Sequence, residues 1–326
     1  MMRLPPWSLL AGVCLIAASC SDSDHDKPSS PHADAAASAD AATSLDADAG
    51  SRQDASATSE PAEPVDQTPS FGANGLAFDA DGKLWLADLF GKQILRLNPD
   101  TGEILARFTE EGISPDDVAL DAQGRVFWTD WSNGRVGRLD PKTLHNEFVA
   151  TVPTGANSIA FTDDGRLFIA LVLLNHGLYE IDPEGHDEPR LVTDAIPGLN
   201  AFDFGPKGHL WGPLEDKIAE IDLDTGEVIA TVAEGGYASV RYNEHDHALY
   251  GLTNGPGKKA PALHKIDIDD FTLSDYYEPQ LAGVDNFAID ADGKFFVTGY
   301  DKPQIVVIDP QGPKGTLLPI GAPSER

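Results

Sequence analysis

The residues best suited to chemistry carry carboxylate or amide oxygens and recur at one position of a repeated segment. Each lies eight residues before a turn glycine, and together they form the ligand column of Asn74, Asp116, Asn157, Asn200 and Asp285. Oxygen ligands of this kind suit a hard divalent cation such as calcium. The next residues in two of the repeats, Asp117 and Asn286, add further oxygens. Because no cysteine or histidine occupies the column, softer metals are disfavoured.

A structural explanation of the same residues stays open. Asn and Asp tolerate unusual backbone angles and hydrogen-bond to their own chain, so they are common where a strand begins. The fifth repeat also breaks the column, because either Ala238 or Ser239 stands there and neither is a strong ligand. The sequence therefore predicts a cation site to which five of the six repeats contribute.

The repeat predicts the elements that must position these side chains. The glycines at 82, 124, 165 and 208 are separated by 42, 41 and 43 residues, and Gly293 follows 85 residues later. Each unit has a hairpin pattern, as in NGLAFDADGKLWLAD, then a third strand such as QILRLNP and a weaker fourth such as ILARF. Four strands every 40 to 45 residues are typical of propeller blades.

We therefore predict an all-β fold for residues 71–326, a six-bladed β-propeller with four-stranded antiparallel blades. The blade boundaries fall in register from the first strand to the last, which favours closure without a blade shared between the chain ends. In such a propeller the first strand of each blade lines the central channel, so the ligand column would meet at one end of the axis.

The loops between the second and third strands would surround the same end of the channel. His176, in the loop LVLLNHG, could act there as a catalytic acid or base, or could be a solvated loop residue. Asp88 and Asp130 could assist a metal or serve their own turns. Trp131 and Tyr300 could line a substrate pocket or be ordinary packing at blade ends.

The start of the chain predicts export and a lipid anchor. The apolar run from 7 to 18 is too short to span a bilayer and is typical of a signal peptide. It leads into Ile16-Ala17-Ala18-Ser19-Cys20, which resembles a bacterial lipobox whose cysteine becomes lipidated. Residues 1–20 are therefore predicted as a lipoprotein signal peptide ending at Cys20, and Ser21 favours the outer membrane or cell surface of a bacterium. An ordinary signal peptide with an unrelated cysteine is the alternative.

Residues 21–70 are predicted to be a disordered linker. They consist mainly of Ala, Asp, Ser and Pro, and such a composition cannot bury enough apolar surface to offset its chain entropy. The formal charge of −30 makes nucleic acid an unsuitable partner, because phosphates would be repelled. Cys14 and Cys20 are the two cysteines, so no disulfide is expected in the propeller. We expect a monomer whose membrane contact is its lipid anchor.

The repeats resemble the senescence marker protein, gluconolactonase and luciferin-regenerating enzyme family, and paraoxonase more distantly. The most specific segment is GVDNFAIDADGKFFVTGYDKPQIVVIDP at 283–310, in which Asp285 matches the metal-binding, catalytic aspartate of the family. The pair Asp285-Asn286 resembles a paired Asp-Asn of paraoxonase, and Asn200 resembles a metal-ligand asparagine. The resemblance implies a divalent metal, most simply Ca²⁺, and hydrolysis of a small-molecule lactone or ester with Asp285 as general base.

Two departures from the family pattern leave other functions open. An early blade of the family carries a glutamate where this chain has Asn74 and Asp116, and the blade before Asp285 lacks the usual asparagine. A non-catalytic scaffold that binds a protein or glycan is the first alternative, because VFWTDWSNGRVGRLDP resembles the repeat of low-density-lipoprotein-receptor propellers. A lyase of the streptogramin type is a further alternative.

Overall fold

The fold is a ring of six antiparallel sheets. The computed structural model describes residues 64–254, 260–281, 283–312 and 314–321. Each of the six sheets within these ranges contains four strands that are consecutive in the chain, which confirms the predicted six-bladed propeller. No blade in the described part of the chain combines strands from both chain ends, as the register of the repeats predicted.

The first three blades contain β1 to β12. Blade one comprises β1 (Leu76–Phe78), β2 (Leu84–Asp88), β3 (Gln93–Leu97) and β4 (Ile104–Thr109). Blade two comprises β5 (Pro115–Leu120), β6 (Val126–Asp130), β7 (Arg135–Leu139) and β8 (Asn146–Thr151). Blade three comprises β9 (Ala156–Phe161), β10 (Leu167–Leu171), β11 (Gly177–Ile181) and β12 (Arg190–Thr193).

The last three blades contain β13 to β24. Blade four comprises β13 (Asp203–Phe204), β14 (Leu210–Leu214), β15 (Lys217–Ile221) and β16 (Val228–Val232), with a 3₁₀ turn (Pro206–Gly208) after β13. Blade five comprises β17 (Tyr237–Asn243), β18 (Ala248–Thr253), β19 (Ala262–Asp267) and β20 (Leu273–Tyr277). Blade six comprises β21 (Val284–Ile289), β22 (Phe295–Gly299), β23 (Gln304–Ile308) and β24 (Gly315–Pro319).

The hairpin between the first two strands sets the register of each blade. In five blades a glycine with positive φ closes this turn, where a side chain would be strained; these are Gly82, Gly124, Gly165, Gly208 and Gly293. Blade five has His247 at the equivalent position, with a φ of 52°. Strand pairing then places Ser239 opposite Leu252 and leaves Ala238 in a bulge. Ala238 is therefore the residue of blade five at the ligand column.

The core lies between blades, and the second strand of each blade is its most buried part. Six apolar clusters occupy the interfaces between the sheets. An aromatic side chain with at most 2% exposure stands at the same position of every second strand: Trp85, Phe127, Phe168, Trp211, Tyr250 and Phe296. Burial of each such ring stabilises the blade stack by about 1.5–3 kcal/mol.

Both ends of the described chain attach to blade one. Gln67 exchanges two hydrogen bonds with the backbone of Ile104 in β4, at 2.8 and 2.9 Å. The amide of Gly321 donates to the carbonyl of Gly102 at 2.9 Å. β1 also contacts β21, so blades six and one are neighbours and the ring is closed.

The predicted signal peptide, the lipidation site Cys20 and residues 21–63 of the predicted linker lie outside the described residues. Within the described ranges, no helix combines the length and the hydropathy needed to cross a bilayer.

Candidate metal centre on the propeller axis

Bulges at the start of the inner strands position the ligand column. The pairing register shifts between Pro115 and Val118 in β5 and between Val284 and Phe287 in β21. A similar shift interrupts the pairing of β9 with β10. A β-bulge places two residues opposite one and redirects their side chains, so it turns the ligand residues of these strands out of the regular sheet pattern.

Three residues of the ligand column meet across blades six, one and two. The amide Nδ2 of Asn74 donates to Oδ2 of Asp285 at 3.2 Å, although the two residues are 211 positions apart. The carboxylate of Asp116 lies near enough to Asp285 for their charges to repel. Asn157 and Asn200 are half-buried at the equivalent positions of blades three and four. Neither of these two makes a side-chain hydrogen bond within the described ranges.

The carboxylates of this cluster are unfavourable as free anions. Burial raises the pKa of Asp116 well above its usual value, and the negative charges of Asp285 and Asp117 raise it further. Burial also raises the pKa of Asp285 to about 6, against the opposing hydrogen bond from Asn74. A cation bound between the carboxylates would stabilise their charged forms and lower both pKa values.

The residues fit a hard cation. Asp116 is only 6% exposed, yet its carboxylate accepts no hydrogen bond from any residue that the structure describes. Buried polar atoms normally have a partner, and within the described ranges the Asp116 carboxylate and the side-chain oxygens of Asn157 and Asn200 accept no hydrogen bond that would compete with a cation. The described residues contain no group of three or more His, Cys, Asp or Glu side chains placed to hold a metal. A cation here would therefore need amide oxygens as well as carboxylates.

Asn286, the residue after Asp285 of the ligand column, has hydrogen-bond partners. The amide oxygen of Asn286 accepts hydrogen bonds from Nη2 of Arg241 at 2.9 Å and from the amide of Phe287 at 2.8 Å. These two bonds use both lone pairs of that oxygen. A role for Asn286 as a metal ligand stays a prediction, and it would require one of these bonds to be released.

Asp117 has a similar arrangement. Its carboxylate accepts hydrogen bonds from the amide of Val118 at 2.9 Å and from the amide of Ile159, in the next blade, at 3.4 Å. Asp203 of blade four does the same for Phe204 and for Tyr242 in blade five, at 2.9 and 3.0 Å. We refer to Asp117, Asp203, Arg241 and Asn286 as the inner layer. Its carboxyl and amide groups join one blade to the next.

The sequence analysis missed two members of this layer, Asp203 and Arg241. Arg241 lies on β17, in the blade that lacks a ligand. Five residues before the turn glycine, the other blades carry Ala77, Ala119, Ala160, Asp203 and Ala288. The same count from His247 gives Tyr242, and only strand pairing places Arg241 in this column.

The loop residues have different surroundings. His176 is exposed in the loop between β10 and β11, and its ring makes no hydrogen bond to a described residue. Asp88 accepts hydrogen bonds from the amides of Phe71 and Gly91, both at 2.8 Å, so it organises its own loop. The ring of Tyr300 lies 6.5 Å from that of Phe90, at the seam between blades six and one.

Asp130 and Trp131 occupy the matching loop of blade two. The carboxylate of Asp130 is fully buried and forms an ion pair with Arg135 at 2.6 Å. Trp131 is half-buried, and its backbone carbonyl accepts a hydrogen bond from Gly155 at 2.8 Å. The contacts of Asp130 are those of a structural residue in its turn.

The fold and this cluster define a class of protein, a six-bladed propeller with acidic and amide side chains gathered at one end of its axis. No family model matches the chain. Lactonase drp35 of Staphylococcus aureus (strain USA300) is 22% identical over 253 residues, which cover 75% of this chain and 68% of that lactonase.

Solved structures with the same fold include proteins of several activities. Virginiamycin B lyase from Staphylococcus aureus matches with a TM-score of 0.57 and 16% identity, over 77% of this chain and 85% of the lyase. The calcium-binding protein regucalcin from Agrobacterium tumefaciens matches with a TM-score of 0.56 and 16% identity, over 76% and 85% of the two chains. A gluconolactonase from Xanthomonas campestris matches with a TM-score of 0.57 and 17% identity, over 71% and 84%.

The chain is therefore similar in sequence to a lactonase and in fold to gluconolactonase and regucalcin. This confirms the predicted resemblance to the six-bladed propellers of the senescence marker protein and gluconolactonase type. At these identities the structural matches show the fold alone, and the fold is shared by hydrolases and a lyase.

Proposed function

We propose that this propeller is a divalent-cation-dependent hydrolase of lactones or related esters. The observation that carries the proposal is the buried carboxylate of Asp116 beside Asp285, which accepts no hydrogen bond from a described residue; the half-buried side chains of Asn157 and Asn200 make none to the described residues either. The sequence similarity to a lactonase supports the reaction class. The similarity in fold to a protein described as calcium-binding supports the choice of cation.

The ligand column would hold the cation. Its donors are carboxylate and amide oxygens, and the absence of sulfur and imidazole donors from the column favours Ca²⁺ over softer metals. When bound, Ca²⁺ polarises the carbonyl of the lactone and stabilises the negative charge that develops on its oxygen. The two carboxylates, Asp116 and Asp285, would balance the charge of the ion.

Asp285 would act as the general base. Its carboxylate lies in the ligand column, where it accepts one hydrogen bond, from Asn74, and keeps lone pairs for a further donor such as water. As the oxygen of water bonds to the acyl carbon, Asp285 takes a proton from that water. The bond between the acyl carbon and the ring oxygen then breaks, and the ring oxygen receives the proton from Asp285. The product is the open hydroxy acid, and His176 at the same mouth stays a predicted alternative proton donor.

Metal analysis followed by a substrate panel tests the proposal. The purified protein is stripped of metal, titrated calorimetrically with Ca²⁺, Mg²⁺ and Zn²⁺, and assayed against sugar, aliphatic and aromatic lactones and aryl esters. We expect Ca²⁺ to raise the melting temperature and to restore turnover of at least one lactone. Asp292→Asn is the matched control, because Asp292 is exposed in the turn of the same blade.

Failure of both measurements would contradict the proposal. A protein with no cation-dependent stabilisation and no turnover on the panel would point to the scaffold alternative, in which the same propeller binds a protein or glycan.

The cellular location belongs to the same proposal. We infer from Ile16-Ala17-Ala18-Ser19-Cys20 that the protein is exported and lipidated at Cys20, which would hold the propeller at the outer membrane or cell surface. Mass spectrometry of the mature amino terminus tests this. A diacylglyceryl-modified Cys20 is the expected result, and an unmodified terminus at another residue would contradict it.

A further inference from the structure

A single arginine side chain, that of Arg241, connects the two blades on either side of its own, beside the ligand column. The guanidinium of Arg241 donates through Nη1 to the carbonyl of Phe202 in blade four at 2.6 Å and through Nε to the carbonyl of Phe287 in blade six at 3.1 Å. Its Nη2 donates to Oδ1 of Asn286 at 2.9 Å. One side chain therefore links three consecutive blades through charge-assisted hydrogen bonds.

The other blades leave room for this side chain. Each inner strand has one residue paired directly with the buried aromatic of its second strand, and paired residues share a face of the sheet. These inner residues are Ala77, Ala119, Ala160, Asp203, Arg241 and Ala288. Blades one, two, three and six carry the small side chain of alanine at this position. The adjacent blades four and five carry charged residues there, the negative Asp203 and the positive Arg241.

The charge of Arg241 acts on Asp203, its counterpart in blade four. Asp203 accepts a hydrogen bond from the amide of Tyr242, the residue after Arg241, at 3.0 Å. Burial raises the pKa of Asp203, the positive charge of Arg241 opposes this shift, and the negative charge of Asp163 adds to it. No carboxylate in the described ranges lies within 4.0 Å of Arg241, so the attraction between Arg241 and Asp203 is electrostatic and involves no direct ion pair.

We propose that Arg241 is the fixed internal cation of the channel, a positioning residue that balances Asp203, holds Asn286 in place and confines divalent cations to the ligand column. A guanidinium beside Asn286 repels a second cation in the inner layer, and this repulsion is strong in a buried setting. The confinement of cations rests on the proposed metal centre. The charge balance does not depend on that centre and can be tested in metal-free protein.

The first test is a double-mutant cycle on metal-free protein. Arg241→Met leaves Asp203 without its cation, and we expect the melting temperature to fall by roughly 10 °C. Asp203→Asn should cost less in the Arg241→Met background than it does alone, because in that background it also removes an unbalanced charge. Arg241→Lys, which keeps the charge but not the three hydrogen bonds, should lose less than Arg241→Met. Additive losses in the cycle would overturn the charge-balance role.

If Arg241→Met does not fold, the pair Arg241→Lys and Arg241→Met/Asp203→Asn decides the same question. The proposal requires both of these variants to fold. Collapse of both would show that the three hydrogen bonds, not the charge, are what the channel needs.

The second test counts bound cations. Stripped protein is equilibrated with Ca²⁺ and analysed by calorimetry and elemental analysis, which report a property that a purely structural role would not change. We expect one Ca²⁺ in the unmodified protein and in Arg241→Lys, and a second, weaker one in Arg241→Met. The matched control is Arg190→Met, because the side chain of Arg190 is 50% exposed on blade three.

The outcomes separate the two proposals. An unchanged stoichiometry in Arg241→Met would overturn the confinement of cations by Arg241. Absence of any bound Ca²⁺ in the unmodified protein would instead contradict the metal centre, and the metal-free cycle would still decide whether Arg241 balances Asp203.

Discussion

Asp116 and Asp117 are neighbours in the chain, and their surroundings are opposite. Asp117, in the inner layer, accepts hydrogen bonds from its own blade and from the next. Asp116, in the ligand column, is also buried but accepts none from the described residues, and its pKa is raised by burial and further by the charges beside it. The difference teaches that a buried carboxylate with backbone partners builds the ring, whereas one without partners is available to a ligand.

The largest effect expected is on Asp285. Asp285→Asn keeps the size of the side chain but removes a negative charge and the proposed base. We expect lactone turnover to fall by about 100-fold or more and Ca²⁺ to lose most of its effect on the melting temperature. Steady-state kinetics and thermal melts with and without Ca²⁺ measure both. Turnover within a factor of two of the unmodified protein would contradict the assignment, and Asp292→Asn should leave both properties unchanged.

The inner layer should respond in stability instead. Asp117→Ala leaves the amides of Val118 and Ile159 without their acceptor, so we expect a loss of about 1–3 kcal/mol in the free energy of unfolding of the metal-free protein. Asp116→Ala removes an unpartnered charge and should cost less than half as much. Denaturant unfolding in the presence of a chelator compares the two. Equal losses of unfolding free energy in the two variants would contradict the distinction between the ligand column and the inner layer.

The pH dependence of stability provides a third comparison. The pKa of Asp285 is raised to about 6, above the value near 3.9 of an unfolded chain. A raised folded-state pKa contributes stability that is complete below the unfolded value and is lost as pH rises through the folded value. The metal-free protein should therefore lose stability from this group between pH 4 and pH 7, and Asp285→Asn should lose less. Ca²⁺ at pH 7 should reverse the loss, and identical pH profiles for the two proteins would contradict it.

The smallest effect is expected at the mouth loops. His176 is exposed and has no hydrogen-bond partner among the described residues, so His176→Gln should leave the melting temperature unchanged and lower turnover less than about tenfold. The pH–rate profile of the variant is the measurement. A hundredfold loss together with a missing ionisation would make His176 the catalytic acid or base.

The repeat made the architecture predictable. The 42-residue period and the glycines with positive φ determine the hairpins, and the hairpins determine the blades. Counting back from those glycines also reached Asn74, Asp116 and Asp285, which the structure brings together. Counting failed in blade five, where His247 replaces the glycine and the hairpin turn is one residue longer than in blade six, so only the pairing of β17 with β18 distinguishes Ala238 from Ser239.

The contacts between blades were not predictable in the same way. Asn286 resembled a ligand because of its place beside Asp285, but its oxygen is bonded to a side chain 45 residues away in another blade. Sequence periodicity predicts the features that recur from blade to blade. The arginine of the inner layer occurs once, so no period could indicate it.

The hydrogen bond between Asn74 and Asp285 joins the first blade to the last, across 211 residues. Because the ring closes without a shared blade, these two residues become neighbours only after the sixth blade has been synthesised and has docked on the first. A nascent or truncated chain would hold its other ligands in place and still lack the centre. The proposed hydrolase activity would therefore appear only after the ring is complete. A chain truncated before Asp285 would be inactive rather than partly active.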